Sequence, residues 1–253
     1  MIAKTEEEIK NLRTAGKILA KILRGLGAMS KPGVSTAALD IEAEKLVRAA
    51  DAVPAFLGYK PQGAKHPYPA ALCVSINDEV VHGIPSEKRI LKNGDLVMLD
   101  LGLSYNGFFS DAAITVCVGE ADEKTQKLIR STEEALATAV AAARAGNRLG
   151  DIGAAIEGVA KKYNFEIVRE LGGHALGKKP HEKPFVPNFG EAGTGEKITE
   201  GMVLAIEPIF SEGSGDIFLD DDQWTYKTVD GSRTAEFEHT ILVTRVGAEI
   251  LTA

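Results

Sequence analysis

The chain is predicted to be an α+β protein: antiparallel sheet with helices packed on the outer side, arranged as two pseudo-symmetric halves. Three observations carry this. Hydrophobic periodicity runs through helices and then strands, and the same order starts again near Asp122. Asn93-Gly94-Asp95-Leu96-Val97-Met98-Leu99-Asp100 can be laid over Glu200-Gly201-Met202-Val203-Leu204-Ala205-Ile206-Glu207, each copy placing a carboxylate six residues after a glycine. Asp111 to Gly119 likewise resembles Glu238 to Gly247, with one extra residue in the second copy. No alternating strand-helix order and no Gly-rich dinucleotide fingerprint is present. Since each half would bury little alone, residues 1–253 are expected to form a single domain, its halves spanning about 1–120 and 121–253.

Each element has a local reason. Thr5-Glu6-Glu7-Glu8 is a capping box, and Ile9, Leu12, Ile18, Leu19, Ile22, Leu23 and Leu26 follow at helical spacing. Lys31-Pro32-Gly33 ends that helix. Ser35 or Thr36 caps a second, with Leu39, Ala43, Leu46 and Val47 on its buried face. The period becomes two from Ala71 to Val81 and from Leu96 to Val118, where Asn106-Gly107 between Tyr105 and Phe108 marks a two-residue hairpin. In the second half, helices are predicted from Asp122 to about Ala145 and from about Gly150 to Lys162. Strands are predicted over Glu166 to Leu171, Met202 to Phe210, Thr225 to Val229 and Arg233 to Val246.

Composition narrows the function classes. A 44% hydrophobic, 26% charged chain without low-complexity tracts is globular. No apolar run approaches the ~18 residues of a membrane span, and Met1 to Glu7 is too polar for a secretory core, so the expected location is the cytoplasm. The net charge of −7 offers no footprint for nucleic acid or anionic lipid. Cys73 and Cys117, each in a β-branched apolar run, are expected to be buried thiols, which argues against a thiolate metal site.

With Asn106-Gly107 at the turn, Asp111 falls opposite Gly102 and Asp100 opposite Ala113, so the two acids become diagonal neighbours on one face, with room beside them. One strand acid is ordinarily a solvated edge residue. Here Asp100 follows Leu96-Val97-Met98-Leu99 and Glu207 follows Val203-Leu204-Ala205-Ile206, runs typical of strands buried on both faces. Four carboxylates gathered there, Asp100, Asp111, Glu207 and Glu238, would repel one another unless cations compensate, and two divalent ions neutralise four charges where one would not. His174, after Gly172-Gly173, is the expected imidazole ligand, because glycine lets backbone approach a crowded centre. Oxygen donors with one nitrogen suit Mn, Fe, Co or Zn alike.

As a set, Asp100, Asp111, His174 in Gly173-His174-Ala175-Leu176-Gly177, Glu207 in Ala205-Ile206-Glu207-Pro208 and Glu238 in Glu236-Phe237-Glu238-His239-Thr240 resemble the type I methionine aminopeptidases. Cys73-Val74-Ser75-Ile76-Asn77 and Val81-His82-Gly83-Ile84-Pro85 strengthen that likeness over the related Xaa-Pro peptidases. The resemblance implies the pita-bread fold, with Asp100, Asp111, His174, Glu207 and Glu238 as ligands of two divalent ions. It implies removal of N-terminal methionine from nascent chains with a small second residue, by attack of an ion-bridging water or hydroxide. Glu207 would also handle the water's proton. His181 would steady the carbonyl oxygen and His82 assist proton delivery near the substrate amide. Tyr59, Tyr68, Cys73 and Trp224 would line the methionine pocket. The partners implied are nascent polypeptide N-termini met in transient proximity to the ribosome, by a monomer, without direct contact to nucleic acid or membrane. Phe56 where a small residue is usual, a lengthened loop Lys60 to Pro67, and Pro180 before His181 depart from the family pattern and bear on substrate preference. A broader or Xaa-Pro specificity and a non-catalytic binding relative are the alternatives.

Overall fold

The computed structural model covers residues 1–253. Helix α1 (Glu6–Met29) opens with the expected capping box: Thr5 Oγ1 accepts from the Glu8 amide, and the Glu8 carboxylate accepts from the Thr5 amide. Helix α2 (Thr36–Ala49) is capped by Ser35, whose hydroxyl oxygen accepts from the Ala38 amide. Strands β1 (Val53–Pro54), β2 (Leu72–Ile76), β3 (Glu79–Val81), β4 (Leu96–Tyr105) and β5 (Phe108–Cys117) complete the first half. The hairpin β4–β5 turns at Asn106 and Gly107, both at positive φ, which is why this dipeptide serves there. Alternation then sorts β4. Val97, Leu99, Leu101 and Leu103 join residues of α1 and α2 in one core, and Asp100 and Gly102 face the other way.

The second half has α3 (Glu123–Ala142), capped by Asp122, and α4 (Leu149–Tyr163), ended by Asn164 in the left-handed conformation. Its strands are β6 (Glu166–Ile167), β7 (Gly172–Ala175), β8 (Glu182–Pro187), β9 (Val203–Ile206), β10 (Ile209–Ser211), β11 (Ile217–Leu219), β12 (Tyr226–Thr228), β13 (Thr234–Glu236), β14 (His239–Thr244) and β15 (Gly247–Ile250). The pairing is antiparallel throughout, but it forms separate sheets rather than one: β1-β4-β2 with β5 on β4, β15-β14-β9-β7-β8, β13-β10-β6, and β11-β12-β3. The last joins the halves, because β3 belongs to the first.

The predicted long strands are interrupted, for identifiable reasons. Ala71 to Val81 turns at Asn77, which takes a positive φ. Met202 to Phe210 breaks at Glu207-Pro208, since proline has no N–H to give to a ladder. Arg233 to Val246 breaks at Phe237-Glu238, and Glu166 to Leu171 is strand only at its first two residues. Strands β1, β8, β11 and β15 are short or carry proline and charge, and no alternation announces them. Each half also has its own core, one around Leu19, Leu72 and Leu101, the other around Leu136, Ile156 and Ile241, so each buries more than expected. Cys73 is a buried free thiol, and Cys117 is only half-buried.

Candidate metal centre and substrate pocket

The two halves meet where the acids lie. The observed register sets Asp100 opposite Ala113 and Gly102 opposite Asp111, as predicted. Glu207 stands just past the end of β9, and His174, on β7, pairs with Ala205 of that strand. That approach requires glycine before the histidine: a Cβ on Gly173 would drive into the Ala205 carbonyl oxygen. Glu238 sits between β13 and β14, and its amide donates to the Ala113 carbonyl at 2.9 Å, which brings the second half's acid beside the first half's hairpin.

Around this junction the ligand-capable atoms group in threes. Asp100, Asp111 and Glu238 form one set and His174, Glu207 and Glu238 another, each set within 4.8 Å and both sharing Glu238. A third set joins Asp111 and His174 to His181. His174 Nδ1 lies 3.0 Å from the Ala175 carbonyl, so the proton belongs there and the Nε2 lone pair faces Glu207 Oε1 at 3.7 Å. Two acceptors face each other there. Asp100 Oδ1, Asp111 Oδ1 and Glu238 Oε1 are buried without any hydrogen-bond partner.

The electrostatics point the same way. No Lys or Arg lines the cavity. Burial, then repulsion from neighbouring carboxylates, pushes Asp100, Glu207 and Glu238 well above the usual carboxylate range. Burial alone raises Asp111 to about 7, while burial and the nearby Asp111 raise Glu236 to about 8. Burial, reinforced by His181, lowers His174 to about 3, which keeps its imidazole neutral and able to act as a ligand. Unpaired acids and a neutral imidazole without nearby basic side chains fit divalent cations.

The centre closes one end of a cavity of about 360 Å³ whose walls include Phe56, Tyr59, Tyr68, Cys73, His82 and Trp224. Every site residue named from the sequence lines it. His82 is held at φ 59°, uncommon for a residue with a side chain. Its pKa is lowered to about 4 by burial and by His181. His181 Nδ1 lies 3.0 Å from the Tyr59 hydroxyl, and its ring is 4.4 Å from that of His174. The room expected beside the acids is partly filled: a Cβ on Gly102 would strike the Phe56 ring.

Comparison with known proteins decides which chemistry such a centre belongs to. Residues 10–245 match the profile of metallopeptidase family M24. The chain is 46% identical to the methionine aminopeptidase of Aquifex aeolicus, over 98% of its own length and 97% of that protein's. It superposes on the crystal structure of methionine aminopeptidase from Thermotoga maritima with a TM-score of 0.95 and 42% identity, covering 100% of this chain and 99% of the other. The chain belongs to metallopeptidase family M24, in its methionine aminopeptidase branch. The fold is shared more widely within M24. The prolidase from Pyrococcus furiosus superposes at a TM-score of 0.75 and 25% identity, and this chain covers 65% of it.

An M24 metallopeptidase needs divalent metal, and the donor set described above suits one. The structure adds an acid to which sequence reasoning assigned no role. Glu236, at the end of β13, is 3% exposed, lines the cavity and leaves Oε2 unpartnered. A signal was present in the sequence, since Glu236 stands two residues before Glu238, itself named as a ligand. Pro61 of the lengthened loop also lines the cavity, whereas Pro180 does not.

Proposed function

We propose that this site removes the N-terminal methionine from nascent polypeptides with a small second residue, using two divalent ions held by Asp100, Asp111, His174, Glu207 and Glu238. One observation carries the reading: two ligand-capable sets share Glu238 and enclose unpartnered carboxylate oxygens at the end of a largely apolar cavity. Bound there, divalent ions supply Lewis acidity and bring the pKa of water towards neutrality. Mn, Fe, Co and Zn are all compatible with the donor set.

The chain's own groups supply the remaining chemistry. Phe56, Tyr59, Tyr68, Cys73 and Trp224 surround an unbranched apolar side chain and exclude water from it. His181 donates from Nε2 to the carbonyl oxygen of the first peptide bond, its Nδ1 engaged by the Tyr59 hydroxyl. Glu207, beside the ions, would accept the proton of the attacking water and pass it to the leaving amine. His82, neutral and lining the cavity, would assist proton delivery to that amine. On this reading a monomeric enzyme meets its substrates in the cytoplasm, in transient proximity to the ribosome.

Purified protein loaded with Mn or Co and assayed on Met-Ala-Ser and Ala-Pro-Ala tests this. Methionine release from the first peptide alone is expected, with Asp100→Asn lowering both activity and metal content. Cleavage of only the second would assign Xaa-Pro specificity instead, and inactivity on both without metal uptake would favour a binding protein.

A further inference from the structure

The loop that departs from the family pattern, Lys60 to Pro67, links two walls of the cavity, Tyr59 and Tyr68, and lines it through Pro61. Tyr59, before it, contacts His181. Tyr68, after it, packs edge-on against Trp224 with ring centroids 5.2 Å apart. His66 reaches from this loop across to the segment that carries Trp224. The Trp224 indole is buried, and its Nε1–H donates to His66 Nδ1 at 3.2 Å, the one hydrogen bond this buried donor makes. Indole nitrogen can only donate, so His66 Nδ1 must be the unprotonated nitrogen. The ring proton then lies on Nε2, which faces the Asp222 carbonyl oxygen at 3.1 Å, and the 3.2 Å approach of Nδ1 to the Pro67 carbonyl is not a hydrogen bond.

One imidazole thus ties the loop both to the indole and to the turn before it. That turn is itself rigid: Asp222 accepts from the amides of Trp224 and Thr225 and from the Thr225 hydroxyl. Trp224 lies near the reaction side as well, its ring 6.1 Å from that of His82 and the hydroxyl of the next residue, Thr225, 3.4 Å from the His82 carbonyl.

We infer that His66 is a positioning residue for substrate selection: it fixes the Trp224 indole as a wall of the side-chain pocket and ties the Lys60 to Pro67 loop to the segment that carries it. The inference rests on the pocket reading given under the proposed function. His66 contacts no substrate on this account. It acts through Trp224, so its loss weakens binding more than turnover.

Trp224 is the chain's single tryptophan, so its fluorescence reports the wall directly. The test compares His66→Ala, His66→Gln and Trp224→Ala with the parent protein. Emission maximum and acrylamide quenching are read before metal loading, and KM and kcat on Met-Ala-Ser after it. For His66→Ala, red-shifted emission, easier quenching and a KM about fivefold higher with kcat little changed are expected, the size of one lost hydrogen bond. His66→Gln, which offers a carbonyl acceptor to the indole, should recover most of both effects. His66→Ala leaves the buried indole N–H unpaired, so a melting temperature a few degrees below that of the parent is expected, and His66→Gln should restore it. Unchanged emission in His66→Ala overturns the inference, as does moved emission with unchanged KM while Trp224→Ala raises KM. If Trp224→Ala also leaves KM unchanged, the pocket reading itself has failed.

Discussion

Thr115 and Thr240 do at the residue scale what the two-half architecture needs. The Thr115 hydroxyl donates to the Glu236 carbonyl at 2.6 Å and accepts from the Glu236 amide at 2.9 Å. The Thr240 hydroxyl does the same for Asp111, at 2.7 and 2.9 Å. Each half therefore lends a hydroxyl to the backbone of an acid in the other, and both hydroxyls are buried. Thr240→Val keeps the shape and removes both bonds, leaving a buried amide and carbonyl unpaired. A loss of about 2–4 kcal/mol in chemical denaturation is expected, with weakened metal binding in calorimetry; no change in either would show that water satisfies those groups. Single-sequence reading does not reach these threonines, because a threonine in a strand is most simply a β-former. Asp100 and Asp111 were legible because the turn dipeptide sets the register for the whole hairpin.

At the scale of elements, the strand ends matter more than the strands. Glu207 and Glu238 both lie where a ladder stops, one beside Pro208 and the other between β13 and β14. Periodicity merged these segments into longer strands, since an apolar run continues through the break and only the proline hints at it. The repeat still matched Asp100 to Glu207, because the glycine-to-carboxylate spacing does not depend on the strand being continuous. Gly173 illustrates how an element is fitted to the site. Gly173→Ala would push β7 from β9 and displace His174, so metal affinity should fall about tenfold or more in calorimetry, and unchanged affinity would mean that β7 has slack. The Lys60 to Pro67 loop was expected to be longer than usual, but its attachment through His66 could not be foreseen. It depends on a hydrogen bond to Trp224, 158 residues away.

For the whole molecule, the gathering of acids makes the metal-free protein sensitive to pH. Asp111 at about 7 and Glu236 at about 8 lie far above unfolded carboxylates, which titrate near ~4. Between those limits the folded chain binds more protons than the unfolded one, so stability falls as pH rises through this range. His174 and His82, lowered to about 3 and about 4, act oppositely, losing their contribution as pH falls below about 6.5. The window from pH 6.5 to 8 is therefore dominated by the acids, the histidines adding only the tail of their unfolded-state titration. The melting temperature without metal should drop across it, and added Mn should raise it more at pH 8 than at pH 6.5; a flat profile would mean that the acids are not gathered without metal. The α+β class and two-half plan were legible from repeated order and spacing. Division into separate sheets was not, because alternation reports a buried face and says nothing about which strand lies beside it. The account as a whole stands on the five ligands acting together at the junction of the halves. Anomalous scattering from a crystal of the Mn-loaded protein tests this most directly: two peaks are predicted, one among Asp100, Asp111 and Glu238 and one among His174, Glu207 and Glu238, whereas ions held elsewhere or no ion in that cluster would contradict it.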